Sequence, residues 1–571
     1  RAVAPGTGAP TARQITFLRP GAHLRPGHRY VVAARRLVRP DGSDAEAEPA
    51  FRVLRDGARS TLPGVEAQRP RMAAIFDDLR AAGLGDDDLA ELVLAFDFVV
   101  ASQENTTGEM LSMRDQAFAW LAAQDAAATF AVDEGASAEF DCSVPGQPVW
   151  RFVRGTFATP LFTTADPAAT PGALGFLSLD AEGQPLPVGI THPPFAIVIP
   201  CALREPDGAL AGHPTVIGHG LGMTGGGILE LLVDLSDELP EGAEGLFRYV
   251  LGATDWHGLS TPDFDGVEQV QGFLGSVFRN FDNFRALPDR LRQSQVNTLV
   301  LARMMRAGDF NASPWFQRSD GSGVLAGPEE PGFYFGVSLG GIMGAFLAAL
   351  TPDIERFNLD VGASNFSLLL SRATPFRELE DLLFAISQPD VTLQALAVQL
   401  LQELWTRGEP AGYARTVTGL SDPPLPGSTP KKILMTVARY DHAVSNQASE
   451  ILARTLGLPN LVGSAETGKP GIPDLPGPLD SALVYYDAGG LDPALHPLDV
   501  PPLSNRRVTR GRCDPHADRL TTPASLDQLF AFLQPGGAIV SFCDGLCDGR
   551  DAFGSYSPYE IPGGAAEPCL P

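Results

Sequence analysis

The pentapeptide Gly336-Val337-Ser338-Leu339-Gly340 offers a hydroxyl where it could act as a nucleophile. A serine hydroxyl is weak at neutral pH, so it needs a base beside it and a backbone that lifts its oxygen clear. Gly336 and Gly340 remove side chains where a strand and a helix converge, Ser338 takes the strained apex, and the following helix N-terminus favours developing negative charge. The competing reading is a structural turn, since the pattern also recurs by chance. The setting separates the two: the apolar run 332–337 precedes the serine and the small-residue run 340–350 follows it, giving strand, sharp turn and helix.

Acyl transfer also needs donors aimed at a tetrahedral oxyanion. One is the backbone N–H of Leu339, next to the nucleophile; the second is that of Leu221 in His219-Gly220-Leu221-Gly222, upstream of it. The alternative for this loop is a flexible turn made by Gly220, Gly222 and Gly225 to Gly227. His219 is expected to hold the loop rather than to act as base. The acid should follow a later strand, and Asp441 does so in Arg439-Tyr440-Asp441-His442-Ala443-Val444; its alternative role is N-cap of a helix through 447–455. The base should come last, completing the order Ser, Asp, His. Two histidines qualify. His516, in Cys513-Asp514-Pro515-His516, is favoured because the closing helix at 525–533 follows it, and His496 in a Pro-rich loop stays open as the alternative.

Positioning these groups requires a scaffold. From about residue 126 strands alternate with helices, which implies an α/β class with a largely parallel central sheet. Strands are expected at 150–157, 195–199, 214–218, 247–252, 332–337, 356–361, 432–438 and 481–486. The stretch 374–406 reads as helix-rich, and 371–428 exceeds an ordinary connection, so a helical cap or lid is expected there. Before about residue 125, runs at 28–38, 51–54 and 91–102 read as strands and 71–82 and 110–123 as helices, as though part of a β-sandwich. The expected organisation is thus a β-rich region at 1–125 and a catalytic domain at 126–571 with a Cys-rich end.

The stretch from about 130 to 540 resembles the α/β-hydrolase family, and more narrowly exported bacterial lipases and esterases that carry an N-terminal immunoglobulin-like region. The resemblance rests on matched order: the 219–222 loop, the elbow at Ser338, the acid turn at Asp441 and the histidine loop at His516. The first region resembles immunoglobulin-like modules of secreted hydrolases through the strand and Pro-Gly turn pattern of 24–42. The family resemblance implies that Ser338 attacks an ester carbonyl, His516 shuttles the proton and Asp441 orients the imidazole, with no cofactor and no metal. A long, Cys-rich His516 loop departs from the family's pattern. A peptidase or acyltransferase on the same chemistry, or an inactive binding protein, are the alternatives.

Composition sets the outer bounds. A formal charge of -26 offers no basic stripe for nucleic acid, so small-molecule, lipid or polymeric esters are the expected partners, with peripheral association to a membrane or surface left open. No run reaches the roughly 18 apolar residues of a membrane helix. Cys142, Cys201, Cys513, Cys543, Cys547 and Cys569 are even in number and four of them crowd the C-terminus, which leads to the expectation of at least two disulfides, among about fifteen pairings, in a secreted or cell-surface protein, any signal peptide having been removed or never included. The oxygen donors of 544–551 depart from a calcium-loop spacing and read as a turn tied by Cys543 and Cys547. Trp256 and His257, at a strand end, either shape a substrate pocket or simply pack.

Overall fold

A computed structural model describes residues 17–39, 41–205, 212–234, 249–269, 271–377, 390–487, 497–503, 506–508, 514–516 and 523–547. Two compact units emerge, one of Leu24–Thr106 and one of Thr107 onward joined by the residues up to His23.

The smaller unit pairs Arg29–Arg35 with Leu92–Val99 in an antiparallel ribbon and adds four helical segments between them. Phe51, Met72, Ile75, Phe76, Leu79 and Leu92 form its core. This corrects the immunoglobulin-like expectation, because a sandwich needs two facing sheets and the described residues supply one ribbon whose inner face is covered by helices. The apolar run 51–54 belongs to the helix Pro49–Arg55, with Pro49 in the first helical turn, where its missing N–H is no loss. The division falls at Thr106 rather than near 125. Its cause is the helix Gln103–Ala122, whose Met110, Met113, Ala117 and Leu121 enter the core of the larger unit.

The larger unit is built on a 12-stranded sheet. In spatial order its long strands are Val149–Phe157, Pro194–Pro200, Val250–Thr254, Pro214–Gly218, Gly332–Val337, Ile354–Asp360, Lys432–Ala438 and Ala482–Tyr486. Pro194–Pro200 runs antiparallel to both its neighbours, and every pair from Val250–Thr254 to Ala482–Tyr486 is parallel. Parallel strands need crossovers, which place helices on both faces. Alternating residues therefore enter two cores: Tyr334, Ile433, Met435 and Tyr485 on one face, Phe333, Phe335, Leu434 and Val484 on the other. Leu339–Leu350 and Ala286–Ala307 cover the first face, Gly225–Asp234 and Pro523–Phe532 the second.

Within 371–428 the described residues hold the helix Val391–Trp405 and several short 3-10 turns; 378–389 lie outside them. Trp405 anchors this stretch, stacking on Phe366 at 4.5 Å and meeting Phe284 edge-on at 5.1 Å. Cys142 is bonded to Cys201 and Cys543 to Cys547, whereas Cys513, Cys569 and residues 548–551 lie outside the described residues. No helix among the described residues is long and apolar enough to cross a membrane.

Candidate active site

Three neighbouring parallel strands are each followed within two residues by a non-glycine residue with a positive φ: Ser338 at 58°, Val361 at 43° and Tyr440 at 66°. Non-glycine residues rarely hold this conformation, and it persists where surrounding packing over-determines it. At Ser338 the constraint is legible. Gly336 lies opposite Gly218 in the sheet, and a Cβ on Gly340 would sit 2.1 Å from the Gly218 carbonyl oxygen. The helix after the serine therefore presses directly on the strand backbone. Tyr334 Oη donates to the Gly340 carbonyl at 2.5 Å, and Ser338 N–H donates to the Asp360 carbonyl at 2.9 Å, so the turn is clamped from both sides.

His516 Nε2 lies 3.0 Å from Ser338 Oγ, and its Nδ1 lies 2.8 Å from Asp441 Oδ2. With Asp441 accepting at Nδ1–H, Nε2 is left free to accept the serine hydroxyl proton. Asp441 is buried, while its other oxygen accepts the backbone N–H groups of Ala443 at 2.9 Å and Val444 at 2.7 Å. The helix Asn446–Leu456 starts after Ser445, so Asp441 is not its cap. Arg439 binds Glu466 at 2.5 Å and Asp487 at 2.9 Å, tying the base of the Asp441 turn to the end of the neighbouring strand. Both His516 and Ser338 keep part of their surface exposed. Thus Ser338, Asp441 and His516 come together in one line of hydrogen bonds. His496 lies outside the described residues.

The 219–222 loop arrives beside the serine: a Cβ on Gly220 would stand 4.0 Å from Ser338 Cβ. Among the described residues, no acceptor takes the backbone N–H of Leu221 or of Leu339. His219 is fully buried, with Nδ1 2.7 Å from the Gly220 carbonyl and Nε2 accepting from Trp256 N–H at 2.8 Å. Burial depresses its pKa, against the opposing charge of Asp255, and both ring nitrogens are already engaged. It holds the loop and has no nitrogen to spare as a base.

Sequence reasoning missed what stands behind this loop. Gly222 N–H donates to Leu259 O at 3.0 Å and Thr261 Oγ1 donates to Gly222 O at 2.7 Å. The 258–261 segment is itself gathered by Asp263, whose Oδ2 accepts the N–H groups of Gly258 and Ser260 and the Ser260 hydroxyl. Arg290, equally buried, pairs with Asp263 Oδ1 at 2.6 Å and lies over the Phe273 ring at 3.6 Å. A buried ion pair of this kind stands because hydrogen bonds satisfy the rest of both groups. Its members are 27 residues apart and carry no local signal.

The sheet order, the run of parallel strands with antiparallel pairing at one side and the strained serine between strand and helix settle the architecture. The chain has the α/β-hydrolase fold. No protein-family model matches the sequence, and no curated protein matches it. Among solved structures it is similar to an acetyl xylan esterase from Thermoanaerobacterium sp., at 11% identity and TM-score 0.35, over 67% of this chain and 87% of that one. An acetyl xylan esterase from Paenibacillus sp. gives 12% and 0.32 over 66% and 92%. An acylaminoacyl peptidase from Pyrococcus horikoshii gives 10% and 0.29 over 58% and 43%.

Proposed function

We propose that this α/β-hydrolase is a serine esterase that cleaves carboxylic esters through an acyl-enzyme. The observation that carries the reading is the line Ser338 Oγ, His516 Nε2, His516 Nδ1, Asp441 Oδ2, with links of 3.0 and 2.8 Å. In the first half, Ser338 Oγ bonds to the ester carbonyl carbon as its proton passes to His516 Nε2. The carbonyl electron pair moves onto oxygen, where the N–H groups of Leu221 and Leu339 stabilise it, each such donor contributing about 3 to 4 kcal/mol in the transition state. Collapse breaks the bond to the alkoxy oxygen, which leaves as alcohol with the proton from His516. Water then repeats the sequence on the acyl-enzyme, returning free acid and Ser338.

Esters with long acyl chains, or polymeric ones, fit best. Support comes from the helix Val391–Trp405 in the 371–428 stretch, which turns Leu393, Leu396 and Leu400 outward at 46, 47 and 68% exposure. These fall three and four residues apart, on one helical stripe. We read this stretch as a cap presented to an apolar substrate. The cystine links favour an exported enzyme working in an oxidising compartment.

The deciding experiment pairs a fluorophosphonate probe with p-nitrophenyl esters. Labelling of the wild type that disappears in Ser338→Ala, alongside hydrolysis of the acetate and palmitate esters, supports the reading. An unlabelled wild type would make the chain a non-catalytic member of the fold, and cleavage of p-nitroanilides in preference to esters would make it a peptidase.

A further inference from the structure

Asp514 is no member of the relay, yet it stands against two of its parts. Its Oδ1 accepts the backbone N–H of His516, two residues on, at 3.1 Å. The same oxygen accepts the backbone N–H of His442, also at 3.1 Å and 72 residues away in sequence. His442 follows Asp441 directly, so one carboxylate oxygen joins the loop that carries the acid to the loop that carries the base. Hydrogen bonds to an ionised acceptor are roughly twice as strong as neutral ones, and two converging N–H groups fix the position of both loops. The Asp514 carboxyl is also half-buried close to a second carboxylate: desolvation, and then the charge of Asp441, push its pKa up, while His516 and His442 pull it down. Placing two carboxylates together out of water is unfavourable, and the cationic form of the imidazole between their loops relieves it.

We propose that Asp514 is a positioning residue for the reaction, holding the Asp441 and His516 loops in register through two backbone N–H groups and adding a second negative charge that faces the imidazole. This rests on the Ser338–His516–Asp441 reading. Among the described residues, the titratable groups facing Asp514 are Asp441, His516 and His442, and Asp441 also faces His516. Both carboxylates favour imidazolium, so losing one lowers the proton affinity of His516. The acid limb of kcat/KM reports protonation of the base in the free enzyme, and it moves to lower pH.

Asp514→Asn and Asp514→Ala separate the two roles. Asparagine keeps a carbonyl oxygen for both N–H groups and removes the charge; alanine removes both. The expected result is a kcat near wild type for Asp514→Asn with its acid limb at lower pH. Asp514→Ala is expected to lose about 10- to 100-fold in kcat with little change in KM, the scale of a misplaced catalytic group. Fluorophosphonate labelling should slow in proportion. Wild-type kcat and an unmoved acid limb in both variants would overturn the proposal, as would equal losses in both with the limb unmoved, which is the behaviour of a merely structural residue. Should Asp514→Ala fail to fold, the pH profile of Asp514→Asn decides alone. The outcomes stay distinct from failure of the esterase reading: an unlabelled wild type removes both, whereas a labelled wild type with Asp514→Ala labelled at the same rate removes only the role of Asp514.

Discussion

The imidazole of His219 joins two strand ends, taking the backbone N–H of Trp256 at Nε2 from 2.8 Å while its Nδ1 lies 2.7 Å from the Gly220 carbonyl. The proton therefore sits on Nδ1, and the ring sets where Gly220 and Leu221 stand beside Ser338. In His219→Ala the Trp256 N–H is left unpaired in a buried place, at a cost of about 1 to 3 kcal/mol, while the Gly220 carbonyl keeps only the Met223 N–H at 3.3 Å. The expected outcome is a lowered melting temperature and a fall in kcat of about tenfold or more, the scale of a weakened oxyanion donor. The pH dependence of the surviving activity should match wild type, because His219 does not titrate in the reaction. A shifted acid limb in His219→Ala would contradict this assignment.

Asp441 carries a different load. Its Oδ2 fixes the His516 tautomer at 2.8 Å, and its Oδ1 is spent on Ala443 and Val444. Asp441→Asn keeps the size and the Oδ1 bonds and presents an amide N–H to Nδ1, which moves the imidazole proton to Nε2, where it faces Ser338 and leaves no acceptor for the hydroxyl. Triad enzymes lose about 10⁴-fold in kcat by this change. The same order is expected here with the fold intact, measured by steady-state p-nitrophenyl acetate hydrolysis and circular dichroism. A loss below tenfold would assign the acid's role to another group.

Packing at the elbow makes a third prediction. The Cβ of Gly340→Ala would meet the Gly218 carbonyl oxygen at 2.1 Å and the Gly218 Cα at 2.9 Å, and backbone in a central strand cannot step aside. Overpacking a core costs about 1 to 3 kcal/mol, and here the strain falls on the turn that carries Ser338, so activity should fall with stability. Gly226 is the control. It lies in the helix Gly225–Asp234 with nothing within 4 Å of a new Cβ, so Gly226→Ala should stabilise by about 0.4 to 1 kcal/mol. Thermal melts of the two variants should move in opposite directions.

These residues also show what local pattern can reveal. The strands at 214–218, 332–337 and 432–438 have the bounds their apolar runs imply, and Gly336 and Gly340 announce a close approach because only glycine fits one. Asp514 carries a local signal, because an aspartate before a proline readily accepts the N–H two residues on, as it does from His516. Its bond to His442 was not readable, nor was the pairing of Arg290 with Asp263, because both depend on chain brought together by the sheet. The run 51–54 misled for the opposite reason. Four apolar-rich residues suit a strand or a helix equally, and the helical start at Pro49 decided it.

The outward stripe of the helix Val391–Trp405 separates substrate classes. Leu396 and Leu400 are exposed, whereas Leu401 and Trp405 on the opposite side are buried, so changes at the first pair leave the packing of Trp405 on Phe366 alone. Leu396→Ser with Leu400→Ser should lower activity on p-nitrophenyl palmitate severalfold and leave acetate hydrolysis near wild type. Equal effects on both esters would remove the stripe from substrate selection.

Glu409 sets a pH dependence of stability away from the chemistry. It is fully buried, and burial pushes its pKa up to about 8 from 4.5, against hydrogen bonds from Gln402 and from the Phe366 N–H that pull it down. The folded protein thus keeps a proton that the unfolded chain releases above 4.5. The sign follows directly: this contribution to stability is fully present below pH 4.5, declines as pH rises, and is gone above about 8. At its steepest the decline is about 1.4 kcal/mol per pH unit. Glu409→Gln cannot ionise, so whatever fixed cost or gain it brings, its melting temperature relative to wild type should climb between pH 5 and 8 and then level off. A difference that stays flat across that range would mean that Glu409 is ionised in the fold and that its two donors outweigh its burial.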